Sequence, residues 1–195
     1  MEKFKFVIPT IEWKQKAIDF INEFYKYNSN INGTGGLQRY LDNYEGWLEK
    51  IEEDYNRQPS EEKVPARTYF FVRESDNKIV GMINIRLALN ESLKKYGGNI
   101  GYSIRPTERG NGYNKINLYL GLKVCKKYGI DEVFMDADKD NPASWKTIES
   151  LGGKNIREYF EDEFDHCIVK DYIIDVNNAI DSNKDKYEPY ILNIF

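Results

Sequence analysis

Residues 105–114, RPTERGNGYN, set Gly110 and Gly112 beside Arg105, Arg109 and Lys115, between an apolar run and a long run of helical spacing. A strand entering such a turn and a helix leaving it aim several backbone N–H groups, and the positive end of the helix, at one point. That point suits an anion, most naturally a phosphate. The two glycines carry no Cβ to hold a ligand away and reach dihedrals closed to other residues. The spacing excludes the common nucleotide loops, since there is neither G-x-x-x-x-G-K-[ST] nor G-x-G-x-x-G with an acidic residue about 20 positions later. A second constellation lies in NPASWKTIESLGG, where Asn141 caps a helix, Pro142 takes its first position and glycines end it.

The elements that must hold these groups read from the periodicity. FKFVI (4–8) is a strand, and Thr10 is placed to cap a helix over Ile11 to Tyr27, with Ala17, Ile18, Ile21, Phe24 and Tyr25 at helical spacing. A second helix is predicted from Leu37 to Asn56, with Tyr40, Leu41, Tyr44, Trp47, Leu48 and Ile51 on one face. The period then changes to that of strands: Thr68 to Glu74 and Ile79 to Leu87 form a hairpin across SDNK, and Asn99 to Arg105 follows the loop ALNESLKKYGG. A helix from Tyr113 to Tyr128 is stopped by Gly129. DEVFMDA, the helix opened by Asn141, KNIREYF and CIVKDYIIDV complete the order β-α-α-β-β-β-α-β-α-β-β. This is a single α/β domain over residues 1–175, with a mixed, mostly antiparallel central sheet flanked by helices and a C-terminal extension at 176–195. The extension ends in YILNIF, too apolar to lie in water, so it should dock on the body or on a second copy as a homodimer.

Composition narrows the function classes. A chain of 195 residues with 28 Lys and Arg against 32 Asp and Glu, net charge −4, has no global attraction for nucleic acid or an anionic membrane. Its 15 tyrosines are scattered rather than interleaved with a basic patch, so no nucleic-acid partner is expected. Cys125 and Cys167 have no metal-like spacing, and with His166 as the sole histidine a zinc site is hard to assemble. No metal is expected. The N-terminus lacks a signal-peptide core and no run of about 18 apolar residues occurs, so a cytoplasmic, reduced protein is expected, with no membrane association.

GYSIRPTERGNGYNKINLYLGL followed by DADKDNPASWKTIESLGG resembles the acyl-CoA-binding core of the GNAT superfamily of acetyltransferases, and the segment before it is similar to a bacterial subgroup. The resemblance covers about residues 68–174 and includes the order of elements. It implies acetyl-CoA as co-substrate, with the backbone N–H groups of Arg109, Gly110, Asn111, Gly112, Tyr113 and Asn114 on the pyrophosphate. Ile104 and Arg105 would pair by main chain with the pantetheine arm, Asn141 and Ser144 would reach it from the other side, and Lys146 would approach the nucleotide end. Asn141 and Ser144 are also explained as a cap and a first-turn residue. The implied reaction is direct transfer of an acetyl group to a primary amine, with a small-molecule acceptor selected near Asn32 to Tyr40.

The chain departs from that pattern where the chemistry is done. The Tyr that many members carry seven residues after the second-motif Asn is Ile148 here, the Glu or His before the glycine-turn strand is Asn99, and a Gln or Arg is replaced by Thr107. Asn99 can orient a water but cannot take a proton. Glu91 as base through water and Tyr159 as acid are the substitutes the sequence offers. His166, beside Asp162, Glu163 and Asp165, reads as a solvated residue of a hairpin turn. Two rivals follow from the departures: a non-catalytic acyl-CoA-binding module, and a peptide N-terminal acetyltransferase, whose α-amine acceptor needs little help from a base.

Overall fold

The computed structural model describes residues 1–162 and 166–192. Its strands are β1 (Phe4–Val7), β2 (Ala66–Arg73), β3 (Lys78–Arg86), β4 (Ile100–Ile104), β5 (Glu132–Asp138), β6 (Lys154–Glu161) and β7 (Cys167–Asp175). Its helices are α1 (Lys14–Lys26), α2 (Tyr44–Asn56), α3 (Glu91–Lys95), α4 (Tyr113–Lys127), α5 (Pro142–Ser150) and α6 (Val176–Tyr187). Every named strand pair is antiparallel, and helices flank the strands, as the pattern of periods predicts. The expected single sheet is corrected to two, ordered β1-β2-β3-β4 and β5-β7-β6.

Hydrogen bonds join the two sheets at the start of β4. Asn99 donates its N–H to Phe134 O (2.7 Å), and its Oδ1 accepts the Phe134 N–H (2.9 Å). Beyond that junction β4 and β5 part, and a cleft of about 740 Å³ lies between them. On the far edge of β4, Arg86 N–H donates to Asn99 O and Arg105 N–H to Val80 O. Residues 99, 101, 103 and 105 thus hold the bonded positions of the β3 ladder, and the polar backbone of Ile100, Tyr102 and Ile104 turns to the cleft edge.

Apolar side chains on opposite faces of the larger sheet build two cores. Phe70, Val72, Ile79 and Met82 face α1 and α2, while Tyr69, Phe71, Val80, Ile83 and Ile85 face α4. The predicted helix over 37–56 is a short 3-10 turn (Leu37–Arg39) followed by α2, because Asn43 accepts from Gly46 N–H and starts the helix there. The predicted loop before β4 contains α3, capped by Asn90. Residues 176–187 form a helix that sequence reading assigned to the extension: Asp175 caps it, and Val176, Ala179, Ile180 and Tyr187 bury one face against the core. Tyr190 and Ile191 also pack on that core, and Leu192 N–H donates to Phe4 O, so the chain's own body covers this end as far as 192. Residues 193–195 of YILNIF and 163–165 of the β6–β7 connection lie outside the described residues. His166 is exposed. Among the described residues no helix is long and apolar enough to cross a membrane.

Candidate functional site

The glycine turn stands where β4 gives way to α4. Gly110 (φ 83°) and Gly112 (φ 76°) both lie in the left-handed region, and a Cβ on either would meet nothing within 4 Å. Packing therefore does not require glycine here. The backbone conformation does, and the open space in front of it is where a ligand would lie. Gly112 caps α4, whose fifteen residues end their dipole at this opening with first-turn N–H groups that have no acceptor inside the helix.

Two carboxylates brace the turn from behind. Glu23, on α1, accepts from the Arg105 guanidinium (2.8 Å), the Thr107 N–H (2.9 Å) and the Thr107 hydroxyl (2.8 Å). Burial alone would raise its pKa, but these donors hold it below the ordinary carboxylate value. Glu108 is bound by Arg73 (2.8 Å) and Lys78 (2.7 Å), and against the same penalty of burial they hold its carboxyl low as well.

This arrangement corrects the sequence reading of Arg105. Its side chain is buried, donates to Ile79 O (2.8 Å) and is neutralised by Glu23, and its N–H is committed to β3. It buttresses the turn and adds no free charge to it. The cleft-facing pair is Tyr102 and Ile104, of which Ile104 O accepts from Arg109 Nε (3.1 Å). Arg109 is exposed beside the turn and also donates to Ser29 Oγ (2.7 Å). Asn111 donates to Glu108 O, Tyr113 packs on Phe4 (4.7 Å between ring centroids), and Asn114 accepts from Asn117.

Across the cleft, Asn141 Oδ1 accepts from Ser144 N–H as the cap of α5, and Ser144 Oγ lies 3.0 Å from the Tyr102 hydroxyl. Both line the cleft. Lys146 is exposed, its ammonium 5.3 Å from the Trp145 ring. Burial pushes the Tyr102 phenol up to about 12, so it stays protonated at neutral pH.

The three groups assigned to the chemistry fall in different places. Asn99 is corrected to a structural role: it is 3% exposed and its side chain binds Phe134 N–H and Arg86 O inside the junction of the strands. Glu91 opens α3 with its side chain 92% exposed and paired to Lys94, away from the glycine turn at the rim of a second cavity. A carboxylate so solvated lacks the fixed position a base needs. Tyr159 lines the cleft, but its hydroxyl donates to Lys95 O (3.3 Å) and ties the α3 segment to β6. Of the stretch expected to select the acceptor, Asn32 and Gly33 reach the cleft.

Sequence reading missed Tyr102, Arg86 and Asp136. Asp136, in β5, accepts the Gly97 N–H through Oδ2 (2.6 Å) and lines the cleft with Asp138 and Glu161. Burial first, then the charges of Asp171 and Asp138, raise its pKa, against the Gly97 N–H and Arg86. Arg86 donates to Gly97 O (2.9 Å) and Gly98 O (2.8 Å), and burial lowers its pKa. An acidic residue alternating with Val133, Met135 and Ala137 on a strand gives no signal beyond ordinary amphipathicity, which is why period alone passes over Asp136. Among the described residues no group of His, Cys, Asp or Glu is arranged to hold a metal ion.

Residues 34–152 match the Acetyltransferase (GNAT) family. The chain belongs to the GNAT family of acetyltransferases. Solved structures agree in fold: mutant forms of the spermidine/spermine N-acetyltransferase SpeG from Vibrio cholerae align at TM-score 0.63 and 12% identity, covering 93% of this chain and 98% of that one. A dodecameric form of the Vibrio cholerae spermidine N-acetyltransferase aligns at TM-score 0.62 and 10% identity, covering 93% and 97%. A chimera of SpeG with hSSAT gives TM-score 0.64 at 11% identity over 92% and 99%. No curated protein sequence matches the chain.

Proposed function

We propose that this GNAT protein transfers an acetyl group from acetyl-CoA directly to a primary amine of a small molecule. The observation that carries this reading is the pair of left-handed glycines at the N-terminus of α4, where a Cβ on either would meet nothing within 4 Å. An anion placed there meets the N–H groups of Tyr113 and Asn114, which open the first helical turn, and no side chain at Gly110 or Gly112. The backbone of 109–114 would hold the pyrophosphate, with Arg109 alongside. The cleft-edge backbone of Tyr102 and Ile104 would meet the pantetheine arm, and Asn141 and Ser144 would close on it from α5. Lys146, exposed on that helix, would serve the nucleotide end.

Two features favour catalysis over mere binding. Ile148 leaves α5 without a phenol, yet the Tyr102 hydroxyl is delivered from β4 to Ser144, one helical turn earlier, where it can hydrogen-bond a departing sulfur. The carboxylates of Asp136, Asp138 and Glu161 make the cleft attractive to a cation. Amine acceptors are cations at neutral pH. The spermidine N-acetyltransferases of like fold take small amines by name, which supports the same class of acceptor here, and their dodecamer supports assembly of copies of this chain.

The test is calorimetry of acetyl-CoA with the wild type and with the double variant Gly110→Glu, Gly112→Glu. Binding by the wild type and none by a folded double variant is the expected result. Equal binding by both would remove the pyrophosphate from this turn. A thiol-release screen over diamines and peptides then separates an enzyme for small amines from a silent binding module and from a peptide N-terminal acetyltransferase.

A further inference from the structure

The cleft is adjoined by a second cavity of about 610 Å³, bounded by α3, by Ile156 and Arg157 of β6, and by Phe134, Asp136 and Asp171. The two cavities share Tyr96, Gly97, Met135 and Asp136. Asp136 therefore stands where they meet. One of its oxygens is fixed by Gly97 N–H, and among the described residues Oδ1 accepts no hydrogen bond from the protein. Asp171, its partner across the ladder, is held instead by Arg157 (2.6 Å), so that cation is already engaged.

We propose that Asp136 is the general base and that the acceptor, a primary alkylamine, reaches it through the second cavity, between α3 and β6. The inference rests on the reading above and assigns the base and the acceptor's route. Phe134 and Ile156 offer apolar contact to an alkyl chain, while Asp136 and Asp171 face its ammonium end. The ammonium gives one proton to Asp136, the freed nitrogen pair forms the C–N bond at the thioester carbonyl, the C–S bond breaks with its pair on sulfur, and the nitrogen gives its second proton to solvent to leave the neutral amide. Tyr102 hydrogen-bonds the thiolate, which takes its proton from solvent.

The groups that set the basicity of Asp136 come from every neighbouring element. The Gly97 N–H and Arg86 on β3 lower it, Asp171 on β7 and Asp138 on β5 raise it, Arg157 on β6 is paired with Asp171, and Lys95, Tyr96 and Tyr159 stand at the α3 segment and its tie to β6. Burial comes first among these influences, and a raised carboxyl is better matched to an ammonium than an ordinary one.

Asp136→Asn keeps an oxygen for Gly97 N–H and removes the basicity together with the charge. With 1,4-diaminobutane as acceptor, kcat should fall by about 100-fold or more while acetyl-CoA affinity stays within about threefold. With aminoacetonitrile, a primary amine that is unprotonated at neutral pH, the loss should be under about tenfold, and the acidic limb of the pH profile should flatten. Equal losses with both acceptors, or a loss under about tenfold with the diamine, overturn the assignment. For the route, Ile156→Arg at this exposed position should raise KM for the diamine by about tenfold with acetyl-CoA affinity unchanged, and an unchanged KM overturns it. A wild type that fails to bind acetyl-CoA would instead remove the reading on which the inference stands.

Discussion

Asn99→Ala separates a structural clamp from a catalytic group. The side chain is 3% exposed, accepts Phe134 N–H at 2.9 Å and donates to Arg86 O at 3.2 Å. Truncation removes both bonds and leaves a buried Phe134 N–H with no acceptor, while the bond from Asn99 N–H to Phe134 O survives. Two bonds at about 1 kcal/mol each, with about 1–2 kcal/mol more for the orphaned donor, give a loss of about 3–4 kcal/mol. At about 2–4 °C per kcal/mol for a domain of this size, Tm should fall by about 5–15 °C. The assay is thermal unfolding by circular dichroism, paired with acetyl-CoA calorimetry and turnover at a temperature where both proteins are folded. Asn99→Asp sharpens it, because a carboxylate still accepts from Phe134 but repels Arg86 O, so its deficit should shrink as the group is protonated in acid. A Tm within about 2 °C of wild type, together with a hundredfold or so loss of turnover, would return Asn99 to the chemistry and refute this account.

Other expectations follow from the same geometry. Tyr102→Phe should lower kcat by about 10- to 100-fold with acetyl-CoA affinity within about threefold, measured by thiol release. A larger loss of affinity than of turnover would make Tyr102 a binding residue only. Glu108 has a folded pKa held below its usual value by Arg73 and Lys78, so its stabilising contribution is complete above about pH 4.5 and is lost as pH falls through the lowered value. The Tm difference between wild type and Glu108→Gln should therefore be constant above about pH 5 and close toward pH 3. A difference that does not change with pH would mean that the charge of Glu108 contributes nothing to the turn.

The glycine turn, the cap at Asn141 and the alternation of the strands are local matters. A residue that must take positive φ, or a side chain that must accept from an N–H three positions on, announces itself within a few residues. Those features, the order of elements and the resemblance they carry were legible in the chain. α6 was harder to read, because its buried Val176, Ala179, Ile180 and Tyr187 are diluted by polar neighbours. Periodicity marks β4 and β5 as strands, but a strand alternates in the same way whether it pairs with its neighbour or parts from it, so the break into two sheets needed the tertiary structure. Arg105 looked like free positive charge beside the turn because Glu23, its partner, lies 82 positions earlier and meets it only when α1 docks on the sheet. Asp136 looked like the solvent side of a strand until α3 and the Gly97 turn closed over it and β7 set Asp171 beside it. Burial and the company of distant charges determine whether a carboxylate is a base, a brace or a bystander, and those come from the packing of elements far apart in the chain.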